Sequence, residues 1–308
     1  MSFHVKVVIV GFRNCDDVAR CLGALEGSRY ADFSIIICEN GGASAYARLI
    51  ATLPKALAAG QPIEVVLAPS NLGYAGGVNF CLRRGADPDG WWLLNPDTAP
   101  HPGALQALVE RLRQGDCDAS GGVLLFGDGR VQNYGGWWRP WLARAHAIGY
   151  GAGINDRIDH VAVEARLSYL SGASMLVSRR FVQVAGMMRE DYFLYAEEVE
   201  WCLRAQRLGL RLGFSPSAHI DHAQGSSTGR TEAVAGRSRL SIYLDERNKF
   251  LVTRDIFPQL LPVVAVSTLF LLTLRFAARG ALSSWLFALQ GWLAGLRGER
   301  GRPTWAPD

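Results

Sequence analysis

Lysine is nearly absent: of 32 basic residues only Lys6, Lys55 and Lys249 are lysines, and the rest are arginines. That skew fits a genome-wide codon bias as well as it fits phosphate chemistry, so nucleic-acid binding is not read from it. The six cysteines (15, 21, 38, 81, 117 and 202) form no CxxC or CxxH spacing, which argues against a zinc site or a redox pair and for reduced thiols of the cytoplasm. The opening MSFHVKVVIV lacks the charged start, long apolar middle and small-residue cleavage site of a signal peptide. No GxGxxG follows the first apolar run, which ends in Gly11-Phe12-Arg13-Asn14, so a nicotinamide-dinucleotide fold is disfavoured. No GxxxxGK[ST] is present, so the phosphate loop of common nucleotide hydrolases is missing.

What is present can bury a large core: 308 residues, 49% hydrophobic and 19% charged. The net charge of +4 is uneven. From residue 236 onward there are ten Arg/Lys against five Asp/Glu, whereas the remainder holds 22 basic and 23 acidic residues. The basic excess therefore belongs to the C-terminal tail.

Residues 5–10, 33–38, 63–67, 91–94 and 119–125 are short apolar runs, most of them rich in β-branched residues, as suits buried strands. Amphipathic helical segments separate them: one after Asn14, with Val18, Cys21/Leu22 and Leu25 on one stripe, one from Ser44 to about residue 57, and one starting near Pro102. A short helix follows the glycine-rich stretch 71–79. This alternation predicts a doubly wound, mostly parallel sheet with helices on both faces. Ligands in such sheets bind beyond the carboxyl ends of the strands, where Gly11-Phe12, Glu39-Asn40, residues 71–77 and residues 95–97 all fall. Residues 127–165 show little periodicity; then 169–181 reads as strand into helix, 196–209 as a helix, and 211–227 as strand then loop. Helices are expected from 236 to the end, giving a domain of residues 1–235 and a helical extension of 236–308.

Four features could carry chemistry, and each has a plainer reading. Asp97, in Asn95-Pro96-Asp97-Thr98, is either part of a type I turn or a ligand to a hard cation, which needs only one or two protein carboxylates when substrate phosphates complete its shell. In AEEVEWCLR, Glu197 and Glu200 share a helical face while Glu198 projects elsewhere. The three are either a solvated acidic first turn or the setting for a general base, with the aromatic residues 192–195 shielding it. His222, close to His219 and Asp221, is either a hydrogen-bonded residue or a ligand to metal or phosphate. Gly73, Gly76 and Gly77 let a backbone approach a ligand and leave N–H groups for phosphate.

The ordered set VKVVIVGFRN, IIICENGG, NLGYAGGVN, WWLLNPDT, YLSGASMLVSRR, YFLYAEEVEWCLR, HIDHAQGSS and YLDERNKFL resembles family 2 glycosyltransferases of the bacterial rhamnosyltransferase-like kind, with the GT-A fold, over nearly the whole chain. The resemblance implies an inverting, metal-dependent transfer of a sugar from a nucleotide-diphosphate donor. Asp97 would take the place of the more usual DxD metal motif, with Mg2+ or Mn2+ as the cation and His222 helping to bind metal or diphosphate. Phe12 and Glu39 would contact base and ribose, and Asn71, Gly73, Gly76 and Asn95 would border the donor. Gly172 and Ala173 would line the site, Glu198 would be the catalytic base, and Arg247 with Asn248 would match a recurring pair of underived role. The family usually has Asp at the positions of Glu39 and Glu198, and Thr-Tyr where Gly11-Phe12 stand, so a catalytically silent homologue acting as a scaffold is the rival reading. By the same resemblance the donor would be dTDP-rhamnose and the acceptor a glycan or polyprenyl-linked sugar in cell-surface polysaccharide synthesis.

No charged residue lies between Asp255 and Arg275, yet Pro258, Pro262, Ser267, Thr268 and Thr273 dilute that stretch as a membrane span. The tail is read either as amphipathic helices lying on the inner membrane face or as helices packed within the domain or at a homodimer interface. Trp137, Trp138 and Trp141 could stack on sugar rings or fill the core.

Overall fold

The computed structural model describes residues 3–85, 88–223, 237–277 and 280–306. The first half is the expected strand–helix alternation: β1 (Val5–Gly11), α1 (Cys15–Glu26), β2 (Phe33–Glu39), α2 (Ala43–Thr52), β3 (Ile63–Leu67), α3 (Gly73–Leu82), β4 (Gly90–Leu94), β5 (Thr98–Pro100), α4 (Ala104–Arg113) and β6 (Ala119–Leu125). Helix α1 forms as its apolar spacing dictates: Cys15, Val18, Cys21, Leu22 and Leu25 are buried on one stripe. Each fully buried aliphatic side chain there is worth about 1.5–3 kcal/mol. Asn14 precedes the helix, but its side-chain oxygen accepts from the N–H of Phe12 (3.0 Å) rather than from the helix.

The chain continues through β7 (Val131–Asn133), β8 (Gly136–Arg139), β9 (Arg144–Ala147), α5 (His160–Arg166), β10 (Ser174–Ser178), α6 (Arg179–Ala185), α7 (Glu197–Arg207) and β11 (Leu212–His222). The stretch 127–165, aperiodic in sequence, thus holds a short strand, a separate two-stranded ribbon of β8 and β9, and a helix. The main sheet runs β3-β2-β1-β4-β10-β6-β11-β5, with β7 beside β6. From β3 to β4 all pairings are parallel. Beyond β4 the sheet is mixed: β10 lies between β4 and β6 and runs antiparallel to both, while β11 is parallel to β6. One core packs on each face of this sheet, around Trp201 and Phe214 on one side and Trp92 and Leu108 on the other.

Three long helices end the described chain: α8 (Arg239–Ile256), α9 (Leu261–Phe276) and α10 (Leu282–Arg297). Helix α8 shares a core with α7, in which Phe250 and Leu251 meet Val199 and Leu203. Residues 224–236, including the loop expected after His222 and the expected boundary at 235, lie outside the described residues.

Candidate active site

Strands β1, β2 and β4 end at Gly11, Glu39 and Leu94, so Phe12, Glu39 and the turn 95–97 stand at their carboxyl ends. Asn95 donates its backbone N–H to Ala173 (3.0 Å) and its carbonyl accepts from Thr98, so the expected turn forms and presents Asp97. Strand β11 pairs antiparallel with β5, placing His222 opposite Thr98. His222 Nε2 thereby stands 3.5 Å from Asp97 Oδ1, both side chains being largely buried.

A residue that the sequence reading missed fixes that imidazole. The buried amide of Gln132, on β7, donates through Nε2 to the carbonyls of His222 (2.5 Å) and Leu125 (3.2 Å). Its oxygen must then face His222 Nδ1, 2.9 Å away, so Nδ1 carries the proton. In the neutral ring Nε2 is a lone pair aimed beside a carboxylate oxygen. Two acceptors so placed suit a divalent cation of the Mn2+ type, with the second ring nitrogen anchored as is usual for metal-binding histidine. Among the described residues no group of three or more His, Cys, Asp and Glu is placed to hold a metal. Oxygens of a bound phosphate would therefore have to complete the shell.

Glu39 ends β2, fully buried. Its Oε1 accepts from the N–H groups of Arg13 (3.0 Å) and Gly41 (2.6 Å). Its Oε2 is buried with no hydrogen-bond partner, beside Gly11 at the end of β1. A buried carboxylate oxygen left without a donor is costly, so it suits the hydroxyl or N–H of a ligand. Phe12, half-buried, follows on the same turn.

The glycine-rich stretch departs from expectation. It is the start of helix α3 rather than a phosphate loop. The N–H of Gly73 is taken by the Asn71 side chain (3.1 Å) and that of Tyr74 by the Phe193 carbonyl (2.9 Å), so neither is left for phosphate. Gly73 has φ +71°, and a Cβ there would run into the Phe193 carbonyl. Gly76 and Gly77 are buried in the helix, and a Cβ on Gly77 would lie 2.6 Å from Val10. These glycines serve close packing of α3 against its neighbours, and Asn71 is the residue of this group that is half-buried at the rim.

Glu198 opens α7 beside Gly172, whose Cα would carry a Cβ 3.7 Å from Glu198 Cβ. Tyr74 lies alongside, donating its hydroxyl to the Gly172 carbonyl (2.6 Å). Burial, followed by the charges of Glu197, Glu198 and Asp97, pushes the Tyr74 phenol well up. Burial and the charge of Glu198 do the same to Tyr169. The charge of Glu198 thus reaches two buried phenols. In the aromatic run 192–195, the Tyr192 hydroxyl donates to Asp255 (2.9 Å), Phe193 packs on Tyr243 and Leu244, and the Tyr195 hydroxyl pairs with Ser241 (3.0 Å). The acidic first turn is not a solvated face. Glu197 and Glu200 are buried; Glu200 is held in a bidentate pair with Arg204 (2.7 and 3.0 Å). Burial, with the nearby Glu198 charge, pushes the Glu197 carboxyl well up.

Phe193, Tyr195 and Ala196, immediately before α7, all have positive φ (67°, 75° and 66°), a conformation that non-glycine residues adopt only when their surroundings enforce it. Here Asn248 and Arg247 enforce it. Asn248 Nδ2 reaches the carbonyls of Tyr192, Leu194 and Tyr195 (3.1, 2.9 and 2.7 Å), and Arg247 reaches that of Tyr192 (2.9 Å). Arg247 is fully buried, so it braces the turn that presents Glu198 instead of meeting a donor. The tryptophans diverge: Trp138 is core, Trp137 packs against His146, and Trp141 is exposed beside α9.

The chain is 22% identical over 98% of its length to the low-salt glycan biosynthesis hexosyltransferase Agl10 of Haloferax volcanii, covering 94% of that protein. It is 25% identical over 80% of its length to the N-acetylglucosaminyl-diphospho-decaprenol L-rhamnosyltransferase of Mycobacterium tuberculosis, covering 86% of it. Among solved structures it is similar to GalNAc-T7 with UDP, GalNAc and Mn2+ (TM-score 0.60, 13% identity, 82% of this chain), of which it spans about half, 48%. It is also similar to the mannosyltransferase PcManGT of Pyrobaculum calidifontis in complex with GDP-Man and Mn2+ (TM-score 0.57, 14% identity, 97% of this chain and 88% of that one). These likenesses show the fold, which is GT-A. The model of "Glycosyl transferase family 2" matches residues 7–176, more than half of the chain, and the protein belongs to that family.

Proposed function

We propose that this glycosyltransferase is inverting and metal-dependent, moving a sugar from a nucleotide diphosphate to a hydroxyl of a glycan or polyprenyl-linked acceptor. The observation that carries it is the largely buried pairing of His222 Nε2 with Asp97 Oδ1 at 3.5 Å. Asp97 and His222 would hold a Mg2+ or Mn2+ ion, whose charge would offset that of the leaving diphosphate. Glu39 and Phe12 would receive base and ribose, with Asn71 and Asn95 at the border and Gly172-Ala173 flooring the acceptor side. Glu198 takes the proton of the acceptor hydroxyl as that oxygen bonds to the anomeric carbon. The bond from that carbon to the diphosphate oxygen breaks with its electron pair, and the nucleoside diphosphate departs.

The hexosyltransferase and rhamnosyltransferase relatives support a glycan or lipid-linked acceptor, and the second favours rhamnose as the sugar moved; the dTDP carrier rests on the resemblance drawn from the sequence. Such an acceptor would hold the enzyme at the cytoplasmic face of a membrane.

The test is calorimetry and turnover with thymidine, uridine and guanosine diphosphate sugars, with and without Mn2+. One donor should bind in a metal-dependent way, lose that dependence in Asp97→Ala, and keep it in Glu198→Gln while transfer falls at least about 10³-fold. Near wild-type turnover in Glu198→Gln removes the base assignment. Donor binding without turnover on any acceptor favours the silent-homologue reading.

A further inference from the structure

Helices α9 and α10 are built inside out for a protein surrounded by water. On α9 the residues turned inward are Val264, Thr268, Leu272 and Phe276, whereas Val263, Val266, Phe270 and Leu274 are exposed, Val266 by 73% and Phe270 by 62%. The spacing of the exposed set, three then four then four, is one helical stripe. On α10 the inward residues are small or polar, Ser284, Ala288, Gly291, Ala294 and Gly295, and Leu282, Leu286 and Leu293 point out. The inward glycines are required there. A Cβ on Gly291 would meet the Tyr243 carbonyl of α8, and one on Gly295 would meet Phe250. The two helices also pack on each other: Trp292 donates to Thr268 (3.1 Å) and Trp285 to Thr273 (3.3 Å). With one side of each helix on α8 and another on its neighbour, the exposed stripes share the outer side of the pair. Trp141, 59% exposed, extends that face, its carbonyl accepting from Ser267 (2.9 Å).

We infer that this outer face of α9 and α10 is a seat for an anionic lipid bilayer. Charge decides the occupant. Residues 256–298 contain no Asp or Glu, and their charged residues are Arg275, Arg279 and Arg297. The Arg297 side chain is 68% exposed at the end of α10, 3.6 Å from Glu299 in a surface pair that is worth little. A second copy docked face to face would bring two stretches together that both lack acids and carry net positive charge, whereas anionic headgroups complement that charge. The helices lie on the bilayer and do not cross it. Pro258–Phe276, 19 residues, is long and apolar enough to cross by length and composition, but Val264, Thr268, Leu272 and Phe276 of α9 are buried against the protein, and α10 packs on α8 through Gly291 and Gly295.

The test is co-sedimentation of the full chain with phosphatidylcholine vesicles and with mixed phosphatidylcholine–phosphatidylglycerol vesicles, alongside gel filtration without lipid. The wild type should pellet with the mixed vesicles, less with the neutral ones, and less as salt rises. Phe270→Ser with Leu286→Ser should lower the partition coefficient at least about tenfold at an unchanged melting temperature, because neither side chain is in the core. Arg297→Gln should weaken binding to the mixed vesicles alone. A wild type that stays in the supernatant with both vesicles overturns the inference, as does unchanged partition in the double variant. A stable lipid-free dimer that the double variant splits would assign the face to a second copy and overturn it as well.

Discussion

Gln132 and His222 hold one another by two hydrogen bonds across a separation of 90 residues: the amide nitrogen donates to the histidine carbonyl, and the amide oxygen accepts from Nδ1. The side chain of a short strand next to β6 thus sets which nitrogen of the last residue of β11 faces Asp97. Replacing Gln132 by Leu leaves a buried Nδ1–H without an acceptor and frees the ring to turn. We expect Mn2+ affinity, read by calorimetry on the protein without donor, to fall about 10–100-fold. Unchanged affinity would show that His222 is oriented by something else or does not bind metal.

Asn248 and Arg247 brace the turn before α7, in which Phe193, Tyr195 and Ala196 have positive φ. Asn248→Ala removes the donors that reach three carbonyls. It should cost about 2–3 kcal/mol in denaturant unfolding, one or two unsatisfied buried groups' worth. It should also lower kcat at least about tenfold, since a small displacement of a positioned base has effects of that size. Donor affinity should stay within about twofold, because the donor side of the site is not touched. Equal losses in kcat and donor binding would point to general unfolding instead.

Glu197 titrates against burial, and the sign follows from that. Its folded pKa lies well above the ordinary value of 4.5. The folded state therefore favours the protonated form, and stability declines as pH rises from about 4.5 through the folded pKa. Glu197→Gln removes the ionisation while keeping the shape. Its melting temperature should exceed that of the wild type at pH 8 and approach it near pH 4, where both carry a neutral group. A pH-independent difference between the two proteins would contradict the burial argument.

The strand–helix repeat was legible because it is local. Runs such as VKVVIVG and FSIIICE have the β-branched density of buried strands, and β3 and β6 fall on the residues that periodicity marks. Strand ends were legible for the same reason, which put Glu39 and the turn carrying Asp97 at carboxyl ends of strands; the roles expected of Glu39, Asp97 and His222 came from the resemblance. The glycines of α3 could not be read correctly, because a glycine required by a nearby carbonyl looks the same in sequence as one required by a ligand. Arg247 was visible only as half of a recurring pair; its partner carbonyl at Tyr192 lies 55 residues away.

Sequence alone determined the period of each element, the turn chemistry at the strand ends, and the apolar, acid-free character of residues 256–298. Tertiary structure decided the rest: the insertion of β10 between β4 and β6, the phenols of Tyr74 and Tyr169 within reach of the Glu198 charge, the tautomer of His222, and which side of α9 and α10 faces out. The reason is that these depend on which surfaces meet. A helix that is apolar nearly all round carries no local mark of its inner face. Only the glycine-lined contact with α8 assigns one.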